Sequence, residues 1–119
     1  MARAREHHAI LGSPPAPWSV ATASTLRVWY WHGQRDNADD PNGGLPNGDG
    51  FALEYSINGG STWSTLASNG DSPSTPVWTE ATAQIPAGSQ VRLRVQCSDG
   101  SAAGDLVECG IDDVSICDN

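Results

Sequence analysis

The chain has 119 residues, 38% of them apolar, which is enough for one hydrophobic core and leaves no room for a second. Thirteen glycines and eight prolines disfavour long helices, and no window approaches the roughly 18 consecutive apolar residues of a membrane helix. The net charge of −8 repels phosphate backbones and anionic membranes. We therefore expect no nucleic-acid partner and no membrane insertion, whereas divalent cations, neutral glycans and other proteins remain candidates.

Residues 1–17 are predicted to form an extended N-terminal tail, followed by a single domain over 18–119. The proline-rich run from Ser13 to Pro17 favours an extended or polyproline conformation over a helix. The first residues are basic but contain no continuous apolar stretch, so the sequence predicts no secretory signal within this chain.

Alternation with a period of two predicts strands along the domain. In Thr25–Trp31, the side chains of Leu26, Val28 and Tyr30 fall on one face, opposite Arg27, Trp29 and Trp31. A polar loop is predicted from His32 to Gly50. Further strands are predicted at Phe51–Ser56, from Thr62 onward, at Val77–Ile85, at Val91–Cys97 and at Leu106–Cys117. These strands and the glycine-rich or proline-rich turns between them predict an all-β, antiparallel β-sandwich or jelly roll.

The segment SINGGSTW, residues 56–63, has the form of the Asp-box hairpin, with Asn58 where Asp is usual. Such a hairpin needs a short polar side chain to cap the turn amides, glycine for positive φ, and a packed Trp63. Asp-boxes occur in sialidase-like propellers, which need several blades of about four strands each. One copy in a chain of 119 residues therefore predicts a structural hairpin.

The two closing strands carry a more specific pattern. Val91–Asp99, followed by Leu106–Ile116 with its Val-Glu-Cys-Gly-Ile-Asp-Asp-Val run, resembles the closing strands of MAM-like jelly-roll modules (concanavalin-like sandwiches) of bacterial secreted and cell-surface proteins. The SINGGSTW hairpin, the Trp78 strand and the Leu11–Pro14 run match in the same order. The resemblance implies a non-catalytic, extracellular or cell-surface β-sandwich.

The cysteines are a first departure from that family. Cys97 and Cys109 stand where the family has small residues on neighbouring strands, so the resemblance implies a cross-strand disulfide between them. Both lie about equally far from the loop centre near residue 103, which agrees with that pairing. Free thiols are the alternative, and Cys117 is left over in either case.

The N-terminal end is a second departure, because the family has further strands before the Leu11–Pro14 run. A missing strand leaves an open sheet edge, and open edges recruit partners. We expect the tail to dock on this edge in its own subunit, or in a neighbour as a donated strand. Donation would make the chain a homo-oligomer or filament subunit.

Calcium is the cofactor that the acidic residues favour, since Ca²⁺ takes roughly six to eight hard oxygen ligands. Alternation predicts that Asp112 or Asp113 points inward, where a carboxylate needs a cation or several donors. We expect Asp99 or Glu108 near them. A second candidate set lies in the loop, which otherwise is a solvated, turn-rich segment: Asp36, Asp39, Asp40 and Asp49, with Asn42 and Asn47.

Trp29 and Trp31 share the strand face opposite Leu26 and Val28, so one of the two sets must find cover outside the core. Exposed tryptophan pairs stack on sugar rings, which would make a glycan-binding platform. The alternative is burial under the tail or in a subunit contact.

The sequence offers little for catalysis. His32 is the only histidine outside the tail, and no nucleophile elbow lies near it. We therefore expect a non-catalytic module acting in adhesion or as a self-assembling surface subunit, stabilised by calcium. The alternative is a carbohydrate-binding module of a secreted hydrolase, with Trp29 and Trp31 as ligand-binding residues.

Overall fold

The computed structural model describes residues 2–4, 16–35, 50–70, 75–98 and 106–119. In these ranges the regular secondary structure is all strand: β1 (Ala2–Ala4), β2 (Trp18–Val20), β3 (Ser24–Arg35), β4 (Gly50–Ser56), β5 (Ser64–Asn69), β6 (Thr79–Ile85), β7 (Ser89–Ser98) and β8 (Leu106–Asp118). Within the same ranges, no helix is long and apolar enough to cross a membrane.

The strands form two antiparallel sheets, with the orders β1-β8-β3-β6 and β2-β7-β4-β5. The all-β prediction is confirmed, and the two sheets have the arrangement of a β-sandwich. The first described strand pairs with the last, the second with the seventh, the third with the sixth and the fourth with the fifth. These pairs are therefore nested within one another along the chain, and successive pairs belong alternately to the first and the second sheet.

The core lies between the sheets and is built by the alternation of the longer strands. Leu26 and Val28 of β3 meet Phe51 and Leu53 of β4 and Val91 of β7, and all five are almost fully buried. Complete burial of one such side chain is worth about 1.5–3 kcal/mol. The predicted inward face of β3 is thereby confirmed, and its opposite face points away from the core.

Several strand ends differ from the prediction. β3 extends into the predicted loop as far as Arg35. It does so because its pairing with β8 continues to that point, where Arg35 lies opposite Leu106. β5 begins at Ser64 and β6 at Thr79, each two residues later than predicted. In such places long-range pairing, and not local alternation, sets where a strand begins or ends.

Two three-residue strands lie near the N-terminus. β2 pairs with the start of β7, and β1, within the predicted tail, pairs with β8 of the same chain. Three residues carry too little alternation to be distinguished from a loop in sequence.

A β-bulge interrupts β8 directly after Asp112, where Asp113 and Val114 together lie opposite Val28. The register to β3 shifts between Arg27 and Trp29, and Asp113 has φ of 51°, a left-handed conformation that Asp adopts more readily than most residues. The extra residue lets Ile111 and Val114 both face the core although they are three positions apart. Strict alternation therefore fails here, and both aspartates are half-buried instead of one lying in the interior.

Candidate functional site

Three tryptophans lie on the outer face of the β1-β8-β3-β6 sheet, and we call them the tryptophan face: Trp29, Trp31 and Trp78. Trp29 and Trp31 point outward because their neighbours on β3 fill the core. Trp29 is 37% exposed, Trp31 is half-buried, and Trp78, just before β6, is 49% exposed. Aromatic surface exposed in this way is typical of a binding site.

The indole rings of Trp31 and Trp78 meet edge to face, with centroids 6.5 Å apart and planes at 76°. Trp29 stands two residues before Trp31, a distance of about 7 Å along the strand. Trp29 and Trp31 thus follow one another along β3, whereas Trp78 lies beside Trp31 on the neighbouring segment, with its ring turned by 76°.

A glycine allows Trp78 to reach this position. A Cβ atom at Gly33 would lie 3.1 Å from Pro76, which is closer than ordinary van der Waals contact. The absence of a side chain at Gly33 thus lets the segment before β6 lie directly on β3. This close approach holds Trp78 beside Trp31.

Charged groups flank the rings. Glu80 on β6 and Asp112 on β8 are the register partners of Trp29 on its two sides. The guanidinium of Arg27 donates to the Glu80 carboxylate at 3.3 Å. Both members of this ion pair are well exposed, so it orients the carboxylate more than it stabilises the fold.

The inner side of the same strand end is aromatic and polar. The Phe51 ring lies between Tyr30 and His32, with centroid distances of 5.6 and 5.0 Å. These rings line an open cleft of about 230 Å³ together with Asn69 and Thr79. Burial lowers the pKa of His32, and its hydrogen bond with Gln34 opposes that shift only in part. His32 is therefore neutral at pH 7 and belongs to the packed end of the sandwich.

The Asp-box-like hairpin has the expected capping bonds. The Asn58 carboxamide oxygen accepts from the Thr62 N–H at 2.9 Å and from the Ser56 hydroxyl at 2.8 Å. Gly59 and Gly60 have φ of 73° and 104°. The Asn58 amide nitrogen donates to the Thr62 hydroxyl at 2.7 Å, a bond that a carboxylate could not donate, which gives Asn a role at this position.

Trp63 follows this hairpin and is covered from within the molecule. The Arg94 guanidinium lies 4.1 Å from the centre of the Trp63 ring. Arg94 also donates from Nε to the Glu54 carboxylate at 3.0 Å. The ring, the cation and the carboxylate thus form a structural cluster on the outer face of the β2-β7-β4-β5 sheet.

Cys97 and Cys109 are joined by a disulfide in the structure, the pair predicted from sequence. β7 and β8 belong to different sheets, so the bond links the two sheets and does not bridge neighbours within one sheet. Cys117 is a free, half-buried thiol opposite Thr25.

The predicted calcium ligands are only partly described. Asp36, Asp39, Asp40, Asp49 and Asp99 lie outside the described residues. Glu108 is exposed on β8 opposite Gly33, four positions from Asp112, or about 13 Å along the strand. No group of three or more metal-ligating side chains is found in the part of the chain that the structure describes.

No protein-family model, no curated protein and no solved structure matches this chain. The residues themselves must therefore support any assignment of function. The structure brings together Trp29, Trp31 and Asp112 from the sequence predictions, and adds Trp78 and Glu80. Alternation within the predicted Val77–Ile85 strand could have identified Trp78 and Glu80. Both lie an odd number of positions from the inward-facing Ile85, so both are expected to face outward.

Proposed function

We propose that the chain is a non-catalytic, extracellular β-sandwich module that binds glycans through the tryptophan face. The observation that carries the proposal is the group of three outward tryptophans, two of them more than one-third exposed. Sugar rings have apolar faces that stack on indoles, and their hydroxyl groups donate to carboxylates such as Glu80 and Asp112. Both kinds of contact are available side by side on this face.

The finer fold assignment is part of the proposal. The pairing of first strand with last, second with seventh, third with sixth and fourth with fifth supports a jelly roll. That order is also compatible with the MAM-like resemblance of the closing strands. The disulfide between the sheets supports an oxidising, extracellular or cell-surface location.

Affinity electrophoresis against a glycan panel tests the function. We expect the wild-type chain to be retarded by at least one glycan, and the Trp29→Ala/Trp31→Ala variant to lose that retardation while keeping its unfolding midpoint. Val77→Ala is the matched control. Val77 is an exposed apolar residue next to Trp78, but it lines the inner cleft and not the tryptophan face, so its loss should leave retardation unchanged. No retardation of the wild type by any glycan would contradict the proposal.

A second candidate function is assembly or adhesion through the N-terminal strand. β1 completes its sheet through only three residue pairs with β8, from Ala2 opposite Ile116 to Ala4 opposite Val114. The same pairs can form with a neighbouring copy, which would make a strand-exchanged oligomer or filament. Light scattering on the full chain and on a chain without residues 1–17 tests this. A polymeric full chain and a monomeric truncated chain support exchange, whereas two monomers contradict it.

A structural calcium ion remains part of the proposal, with Asp112 and Asp113 as its described ligands. The Asp113 N–H donates to Asp112 Oδ1 at 2.8 Å, which fixes this carboxylate beside the bulge. Carboxylate oxygens are the kind of ligand that Ca²⁺ prefers. Thermal unfolding with calcium and with chelator is the test. A higher midpoint in calcium that is lost in Asp112→Asn supports the site, and an unchanged midpoint removes it.

A further inference from the structure

We infer that the tryptophan face takes a single soluble chain of neutral sugars, and neither a flat crystalline polysaccharide nor an anionic one. The inference rests on the proposed function and names its ligand class. Three features of the molecule carry it: the angle between two rings, the spacing of the tryptophans along β3, and the charge around them.

The angle excludes a flat surface as the ligand. A crystalline polysaccharide presents a plane, and rings that bind it must lie in one plane. Trp31 and Trp78 are turned by 76° to each other with centroids 6.5 Å apart. They form a corner, in which one sugar can stack on the first ring while its edge contacts the second. A free chain can enter such a corner, but a crystal face cannot.

The spacing of the tryptophans along β3 favours a chain over one sugar. Trp29 lies about 7 Å from Trp31 along the strand, which is further than one ring contact reaches. It is more than one-third exposed and has a carboxylate residue as register partner on each side. A sugar next to the one in the corner would therefore find a stacking ring and hydroxyl acceptors at Trp29.

The charge around the rings selects neutral sugars. The register places the carboxylates of Glu80 and Asp112 beside Trp29, and Arg27 is engaged by Glu80 at 3.3 Å. The whole chain adds a net charge of −8. A uronate or sulfated chain would be repelled both at the face and at longer range, and binding is measured with chelator so that no calcium ion at Asp112 cancels this charge. Neutral hydroxyl groups, in contrast, donate to these carboxylates.

The test uses the full chain in native gels with soluble neutral polymers, namely hydroxyethylcellulose, laminarin, mannan and dextran. Carboxymethylcellulose is the anionic match of hydroxyethylcellulose, and sedimentation with microcrystalline cellulose and chitin tests flat surfaces. We expect retardation by at least one neutral polymer and no sedimentation with the powders. Trp31→Ala and Trp78→Ala should each weaken binding about tenfold, which corresponds to the loss of one ring contact.

The corner itself is tested by the Trp31→Ala/Trp78→Ala double variant. Because both rings contact the same sugar, the double variant should lose less affinity than the product of the two single losses. Losses that multiply fully would overturn the corner. Unfolding midpoints equal to that of the wild type show that the variants keep the fold.

The outcomes separate the inference from the proposal beneath it. Sedimentation with a crystalline powder, or stronger retardation by carboxymethylcellulose than by every neutral polymer, would overturn the inference and leave glycan binding standing. No binding to any polymer or powder would overturn both.

Discussion

Tryptophan occurs on the outer faces of both sheets, but in two different settings. On the β2-β7-β4-β5 sheet, Trp63 is covered by the Arg94 guanidinium at 4.1 Å, and Arg94 is held by Glu54. On the other sheet, Arg27 forms its ion pair with Glu80 beside Trp29, and Trp29 and Trp78 stay more than one-third exposed. The same residue type is structural where the chain supplies its partner and available for a ligand where its ring surface remains open.

The hairpin before Trp63 depends on contacts that are local in sequence, whereas the tryptophan face depends on long-range contacts. Trp63 follows a hairpin whose hydrogen bonds join residues at most four positions apart. The tryptophan face needs β3, β6 and the contact of Pro76 with Gly33, which are distant in sequence. We therefore expect substitutions at the first site to change stability and substitutions at the second to change binding.

Loss of the disulfide between Cys97 and Cys109 should have the largest effect on stability, because this bond joins the two sheets. Cys97→Ser/Cys109→Ser is expected to lower the free energy of unfolding by about 2–4 kcal/mol. Urea denaturation measures this, with Cys117→Ser as the control that stays within about 0.5 kcal/mol of the wild type. A similar loss in the control would show that the bond between the sheets is not the cause.

Trp63→Ala should come next, with a loss of about 2 kcal/mol from the partly buried ring and its cation contact. Glycan retardation should be unchanged in conditions where the variant is folded. Trp29→Ala is the matched comparison, since it removes the same side chain from the other face and should weaken binding with little change in stability. Reversal of these two results would break the contrast between the faces.

Asn58→Ala should cost about 1–2 kcal/mol, because the Thr62 N–H and the Ser56 hydroxyl lose their acceptor in the turn. Asn58→Asp keeps the acceptor and loses only the amide donor to Thr62. It should therefore be the milder of the two in urea denaturation. Equal losses in both variants would mean that the acceptor does not stabilise the hairpin.

The smallest expected effect is on the pH dependence of stability and concerns His32, a buried residue of β3, the strand that carries Trp29 and Trp31. Burial lowers its pKa in the fold, so the unfolded chain binds a proton more readily. The contribution of His32 to the free energy of unfolding should be constant well above pH 6.5. It should fall as the pH drops from 6.5 through the lowered pKa of His32 in the fold. His32→Phe keeps a ring against Phe51 and should flatten that part of the stability profile. An unchanged slope would assign the dependence to other groups.

The fold was predictable where alternation is long, and less so where pairing is distant. The inward set of β3 and the strand at Val91 follow from period two, because one face of each is buried. The extension of β3 to Arg35 and the three-residue strands depend on partners far along the chain. The bulge at Asp113 inserts one residue, which no alternation rule anticipates.

The candidate site shows the same division. Trp29 and Trp31 could be identified because they lie two positions apart on a predicted strand. Trp78 joins them through the packing of Pro76 on Gly33, a contact between segments that are more than 40 positions apart. Sequence alone gives no measure of such a contact.

The most direct measurement is a ¹H–¹⁵N titration of the indole N–H signals with the neutral polymer that retards the chain. The five tryptophans give five signals, each assignable by single Trp→Phe variants. Our account predicts that the signals of Trp29, Trp31 and Trp78 shift together and saturate, while those of Trp18 and Trp63 stay in place. Shifts confined to Trp18 or Trp63, or no shift at all, would contradict the tryptophan face as the binding site.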